Sequence, residues 1–360
     1  GFSVRLAGSG LVLWAIAGDA PGGGLGGFQG MTDNTAILLL LGAGLRLGIL
    51  PLNLPLGEES VLRRGFGTIL RMVSVTSSLV LLARLPATEF SPGLDALALL
   101  ATSAAALYGA WRWVRGATLL DSRPFWMIAM GALALAADLR GNPPGSVAWG
   151  SALVLVGGLI FIFSHETRWL RGLVLGGVFG LSALPFSMTA VAWQSGPASN
   201  PWFLVVLIPA QVLLVVGFIR FALAPRDPST DIQPQGAQVV YPVAFIVMFL
   251  VIILLGVWGW EGAGQVGAWI PGLVASALSV ALTVALMRLQ ALIPARSPES
   301  ELPRASMRGV GLWLGGLLWG IYRLLRQAVF VLSQALEGDG GMLWAFVLLV
   351  LVISLFTGGR

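Results

Sequence analysis

Long apolar runs, broken by short polar or Gly/Pro-rich gaps, fill almost the whole chain. About 20 apolar residues suffice to cross a bilayer as a helix. The pattern therefore predicts an all-α, polytopic membrane helical bundle of about eleven spans. The candidate spans are Arg5–Gly18, Thr35–Leu56, Phe66–Leu85, Leu94–Val114, Phe125–Leu139, Val147–Ser164, Leu170–Trp193, Trp202–Leu223, Val240–Trp260, Ala268–Leu289 and Met342–Phe356. Glycines at 172, 176 and 180 repeat at a spacing that suits close helix packing. Trp111, Trp113, Trp193, Trp258 and Trp260 lie near span ends, where interfacial aromatic belts form.

Two spans depart from the simple pattern. Thr35–Leu56 carries Arg46 in its middle, followed by Pro51, Asn53 and Pro55. A charge at mid-membrane costs at least ~2.5–3.5 kcal/mol and needs a partner or a wet cavity. Proline removes a helical hydrogen bond, so a break is expected near Leu50–Pro51. Leu170–Trp193 is interrupted by Pro185, with Gly176, Gly177 and Gly180 before it and only Ser182, Ser187 and Thr189 as polar groups around the proline. Two broken helices at separate positions are the sequence pointer to a transporter built from inverted repeats.

Further along, Ser297–Arg304 is a polar, proline-flanked interruption. In Leu312–Leu336, Arg323, Arg326 and Gln327 alternate with large apolar residues, as in a helix lying along the membrane interface. The expected organisation is a transmembrane bundle over 1–290, a polar linker over 291–311, and an interfacial helix with a final span over 312–360. Because the chain opens on Gly1 and runs at once into an apolar segment, it reads as the C-terminal part of a longer protein.

Composition narrows the class. Apolar residues make up 57% of the 360, charged residues 10%, and mean hydropathy is +0.88. No ordinary soluble protein of this size has such values. With no cysteine and one histidine, His165, thiolate chemistry, disulfides and His-rich metal or haem sites have no ligands, and no cofactor is expected. All 21 basic residues are arginine, whose guanidinium does not release its proton as a buried lysine can. The arginines alternate between loops, thirteen on one side and two (Arg84 and Arg140) on the other. The positive-inside rule puts the rich side in the cytoplasm, which implies a multi-pass protein of the cell's inner (plasma) membrane. The same scatter argues against a nucleic-acid surface.

The remaining polar residues read as follows. Arg71 lies about 8 Å inside the cytoplasmic end of its helix and can snorkel to the interface. His165 beside Glu166 reads as a surface residue, and Asp121 with Arg123 as a solvated loop pair. Asp95 and Asp138 are expected at solvated helix ends. No pair of carboxylates lies deep in a span. Gly22–Gly30 lacks the lysine and the preceding strand of a phosphate loop.

The run Leu45-Arg46-Leu-Gly-Ile-Leu-Pro51-Leu-Asn53 resembles a family motif, Lys, four residues, Pro, one residue, His. That motif belongs to the antiporter-like membrane subunits of NADH–quinone oxidoreductase, of Mrp cation/proton antiporters and of membrane-bound hydrogenases. Its neighbours fall in the family's order. Ile69–Leu85 is similar to the next helix, Asp121-Ser-Arg123 to an Asp-x-Lys helix start, and Gly158–Phe161 to a Leu-Leu-Phe helix end. Ala183-Leu-Pro185-Phe-Ser187 is similar to the second broken helix, and Leu312–Phe356 to the lateral helix and final span of larger members. In that family, buried lysines, histidines and glutamates relay protons. Here the resemblance puts Arg46 and Asn53 at the first motif's Lys and His. Thr76 falls at the next helix's lysine, Leu153 and Gly157 at the later His and Lys, and Ala192 near the second broken helix's Lys or Glu. The carboxylate that pairs with the first lysine would lie upstream of Gly1.

The resemblance implies a non-redox membrane subunit with the titratable relay largely lost, partnered by other membrane subunits of a respiratory or antiporter complex and by the lipid bilayer. Arg46, Asn53, Pro51, Pro185 and Arg71 are its candidate ion-pathway or structural-charge residues. Two alternatives stand beside it. One is an independent secondary transporter with a site between the broken helices. The other is a membrane-embedded transferase for lipid-linked substrates, using Glu58, Glu59 or His165.

Overall fold

The computed structural model describes residues 2–18, 33–50, 68, 72, 75–81, 92–163, 168–194, 201–224, 237–261 and 266–292. These residues are helical, with irregular turns and no strand among them. In chain order the helices are α1 (Phe2–Gly18), α2 (Asp33–Leu47), α3 (Pro92–Arg115), α4 (Arg123–Leu139), α5 (Pro143–Ile162), α6 (Arg168–Gly180), α7 (Leu204–Leu223), α8 (Ala237–Trp258) and α9 (Val266–Leu292). A short helical piece covers 75–81. By length and composition, stretches of α5, α7, α8 and α9 can each cross a membrane: Pro143–Ile162, Leu204–Leu223, Tyr241–Trp258 and Trp269–Leu286. Leu6–Ala17 and Asn34–Leu47 are shorter apolar helices. The first two residues of the expected linker, 291 and 292, belong to α9; the rest of it, the interfacial helix, the final span and His165 lie outside the described residues.

The bundle is built around α4. Its apolar residues run all the way round, and every residue from Phe125 to Ala137 is buried. A helix apolar on all sides has no solvent face to offer and is enclosed by its neighbours. Here α3, α5 and α7 enclose it, while α8 packs on α6 and α9 on α7. Apolar side chains gain little by leaving lipid for protein, so close packing between small residues decides where membrane helices meet. Gly8 of α1 and Gly42 of α2 face each other, and a methyl group on Gly8 would stand 2.8 Å from the Gly42 carbonyl. Gly109 of α3 makes the same kind of contact with the backbone of α4 at Ala129. On α6, Gly176 accommodates Phe249 and Gly180 accommodates Ile252, both from α8, whereas Gly172 faces open space.

The arginine-rich end is closed by caps. Arg220 of α7 donates to the carbonyls of Val114 and Gly116 at the end of α3. These are carbonyls that a helix C-terminus leaves without intrahelical donors. Tyr241 of α8 does the same for Ile162 of α5, at 3.1 Å. At the opposite end Asn142 caps α5. Its Oδ1 accepts from Gly145 N at 2.9 Å, and its Nδ2 donates to the Val191 carbonyl at 2.9 Å.

Several sequence expectations are corrected. Trp113 and Trp193 are core residues rather than interfacial ones, with their indole N–H groups donating to the Leu214 carbonyl and to Gln211 Oε1. Trp111 and Trp258 are exposed as expected. Arg123 is not half of a solvated loop pair. It is buried at the start of α4, and its Nη1 donates to Thr68 Oγ1 at 2.8 Å. Asp121 instead accepts from the Thr118 hydroxyl at 2.6 Å. Asp95 and Asp138 are half-buried rather than fully solvated.

Candidate functional site: two interrupted helices and the core between them

The first interruption is made by glycine. α2 stops at Leu47, and Gly48 adopts φ 78°, a left-handed conformation that costs glycine least. Ile49 N donates to the Gly44 carbonyl at 2.9 Å and Gly48 N to the Leu45 carbonyl at 3.2 Å. This pair of bonds is the Schellman closure of a helix end. α2 thus ends at Leu47–Gly48, two to three residues ahead of the Leu50–Pro51 neighbourhood where a break is expected. Arg46 consequently sits in the last turn of α2 rather than mid-helix. There its charge faces the negative end of the helix dipole, a favourable placement. It lies about 20 Å along the helix from Asp33. Its Nη2 donates to Ser77 Oγ at 2.8 Å, and its aliphatic stem passes over Gly8. Pro51, Asn53 and Arg71 lie outside the described residues.

The second interruption is larger. α6 ends at Gly180, five residues before Pro185, and the chain runs irregularly from Leu181 to Gln194. Ala183 (φ 53°) and Phe186 (φ 61°) both take left-handed backbone, which costs residues with a Cβ about 1–2 kcal/mol each. Surrounding groups hold them there. Thr189 Oγ1 donates to the Gly180 carbonyl at 2.8 Å and accepts from Ala183 N at 3.0 Å. Gln211 of α7 donates to the Leu181 carbonyl at 2.8 Å, and Ser276 of α9 donates to the Ser182 carbonyl at 3.0 Å. Gly256 of α8 and Gly272 of α9 lie directly against the Phe186 and Ala183 carbonyls, where no side chain would fit. Unpaired backbone in a membrane interior costs several kcal/mol per group, and these side chains remove that cost. The carbonyls of Gly180, Leu181 and Ser182 therefore face protein donors rather than an ion. The Ser187 hydroxyl is buried with no hydrogen-bond partner.

Between the two interruptions the core is aromatic. Trp113 and Trp126 meet at 5.1 Å with their rings tilted by 54°, with Phe161 at 5.8 Å and Phe221 at 4.7 Å from Trp113, and Phe218 at 5.9 Å from Trp126. Trp126 Nε1 donates to the Leu153 carbonyl at 3.3 Å, and a methyl group on Gly157 would approach that nitrogen to 2.7 Å. Gly217 likewise makes room for Trp113. Thr76 donates its hydroxyl to the Met72 carbonyl, four residues earlier, at 2.8 Å. Ala192 is buried, and its carbonyl accepts from Asn142. Among the described residues no group of three or more His, Asp and Glu side chains could hold a metal ion.

The structure thus places Arg46 and Pro185 at the two interruptions, with Arg46 bonded to Ser77. Sequence reading missed Gln211, Ser276 and Asn142, which satisfy the broken backbone. Gln211 was visible as a lone amide inside an apolar run, and that was its only signal.

No protein-family model and no curated protein sequence matches the chain. A chain in the structure of the Mrp complex from Dietzia sp. DQ12-45-1b has a similar fold, with a TM-score of 0.65 at 14% sequence identity. The likeness covers 98% of this chain and 45% of that one, so this chain spans less than half the length of its structural relative. At that identity the likeness establishes an all-helical membrane-protein fold.

Proposed function

We propose that this chain is a non-redox membrane subunit of an antiporter-like complex, of the Mrp or NADH–quinone oxidoreductase kind, in which it serves as an insulating scaffold rather than a proton conduit. The observation that carries the reading is the fold shared with a chain of the Mrp complex over 98% of its length. Partner subunits would supply any redox or transport chemistry, and the protein would be a multi-pass component of the inner membrane.

The insulating role is supported position by position. Where the family resemblance expects titratable groups, this chain has Thr76 bonded to the Met72 carbonyl, Leu153 and Gly157 packed against Trp126, and Ala192 buried. A proton path needs groups that gain and lose protons or a column of water, and an indole-filled core offers neither. At the end of α2 the chain carries the guanidinium of Arg46 rather than the lysine of the family motif. An independent transporter would need free ligands at the second interruption, yet three of the carbonyls there already have protein donors.

The test has two parts. Purified gently from its native membrane, the chain should bring other membrane subunits with it. After reconstitution, Arg46→Ala should lower the yield of assembled complex while leaving proton flux per assembled complex unchanged. Flux that disappears in Arg46→Ala while assembly stays intact would sink the scaffold reading.

A further inference from the structure

Arg140 closes α4 at the turn into α5, at the end of the bundle opposite Arg220. The residue is only 4% exposed, and its Nε is sealed without a hydrogen-bond partner. Burial pulls the guanidinium below its ordinary pKa, and among the described residues no carboxylate, Asp138 included, acts against that shift. The contact it does make is with the Trp193 ring, whose centroid lies 5.9 Å from Cζ. That is near the outer limit of a cation–π interaction. Folded proteins pair and hydrogen-bond a charge taken out of water, because burying it alone is costly.

The turn around Arg140 has no second donor to offer. Arg140 N, Gly141 N and Asn142 N are bonded to carbonyls of α4. Pro143 and Pro144 open α5 without N–H groups, and Gly145 N and Ser146 N are taken by Asn142. The Asn142 amide is committed to the Val191 and Ala192 carbonyls, and the Trp193 indole to Gln211. With Nε sealed, the guanidinium is open end-on, at Nη1 and Nη2. That planar fork matches the two oxygens of one carboxylate. A free anion held by this contact alone would bind only in roughly the tens-of-millimolar range. A carboxylate carried on a docked chain arrives already concentrated and oriented, so one contact suffices. A lipid phosphodiester is bulkier, and 4% exposure leaves little room for its two ester arms.

We infer that Arg140 receives one Asp or Glu carboxylate of a neighbouring membrane subunit, which completes the ion pair on assembly. The inference rests on the reading of this chain as a subunit of a membrane complex. The chain has no lysine, so Arg140→Lys introduces a unique side-chain amine. Zero-length carbodiimide coupling of the assembled Arg140→Lys complex, followed by peptide mass spectrometry, should join position 140 to an Asp or Glu of a partner. Arg140→Met gives a second readout. In the isolated full chain it removes an unpaired buried charge, so the thermal unfolding temperature should stay level or rise. In the complex it should raise the partner's dissociation rate at least about tenfold. A chain that purifies without membrane partners overturns the subunit reading and this inference with it. Partners that co-purify, with position 140 joined only to the chain's own carboxylates or to none, overturn this inference alone. So does a lower unfolding temperature of the isolated Arg140→Met chain, which marks a structural arginine. A phospholipid retained by the wild type and lost in Arg140→Met overturns it as well, since a headgroup phosphate then holds the place.

Discussion

Gln211 Nε2 stands 2.8 Å from the Leu181 carbonyl, while its Oε1 accepts the Trp193 indole N–H at 2.9 Å. One buried amide on α7 thereby ties down both ends of the irregular stretch that replaces the rest of α6. Gln211→Leu leaves a carbonyl and an indole without partners. Each orphaned group costs about 1–3 kcal/mol, with membrane interiors at the lower end. A clear drop in the thermal unfolding temperature of the detergent-solubilised protein is expected, and an unchanged one would mean that the stretch is held by other contacts.

The glycines on α9 and α6 make a matched comparison. Gly272→Ala would drive a methyl group into the Ala183 backbone carbonyl, which cannot swing aside as a flexible side chain can. A loss of about 1–3 kcal/mol follows from such overpacking. Gly172→Ala meets nothing within 4 Å and should be neutral or stabilising by up to ~1 kcal/mol, since alanine favours helix. Denaturation of the two variants side by side would reveal the difference.

Arg123 anchors the start of α4 to Thr68. Arg123→Ala removes a buried charge-assisted bond, for which about 1.5–3 kcal/mol is typical. Arg123→Lys keeps the charge but not the planar fork that also reaches the Leu120 carbonyl, so it should recover only part of the loss. Protease resistance of the solubilised protein would rank the three chains.

Placing a lysine at position 157, where the resemblance expects one, should not create a proton carrier. The Trp126 ring already occupies the space, and even a methyl group would come within 2.7 Å of Nε1. Gly157→Lys should therefore reduce folded yield without adding proton flux in reconstituted vesicles. A folded, conducting variant would show that the aromatic core yields easily.

Membrane class, most helix positions and the charge asymmetry were legible in the sequence, because each depends on local composition. An apolar run must form its hydrogen bonds within itself, so a run of sufficient length reads as a helix wherever it lies. The sites of interruption were legible only approximately. Pro51 and Pro185 pointed to the right neighbourhoods, but Gly48 ends the first helix and Gly180 the second, ahead of both prolines. A proline reports where a helix cannot continue, not where it stops.

What the sequence determined by itself is the apolar surroundings this protein folds in and the helices those surroundings demand. Tertiary structure decided which polar residues are solvated and which are used. Arg123, Trp113 and Trp193 are spaced like surface or interfacial groups in the sequence, yet all are buried against partners 18 to 101 residues away. A side chain's partner depends on which helices meet, and that is set by the packing of glycines, indoles and carbonyls that no single stretch of chain contains.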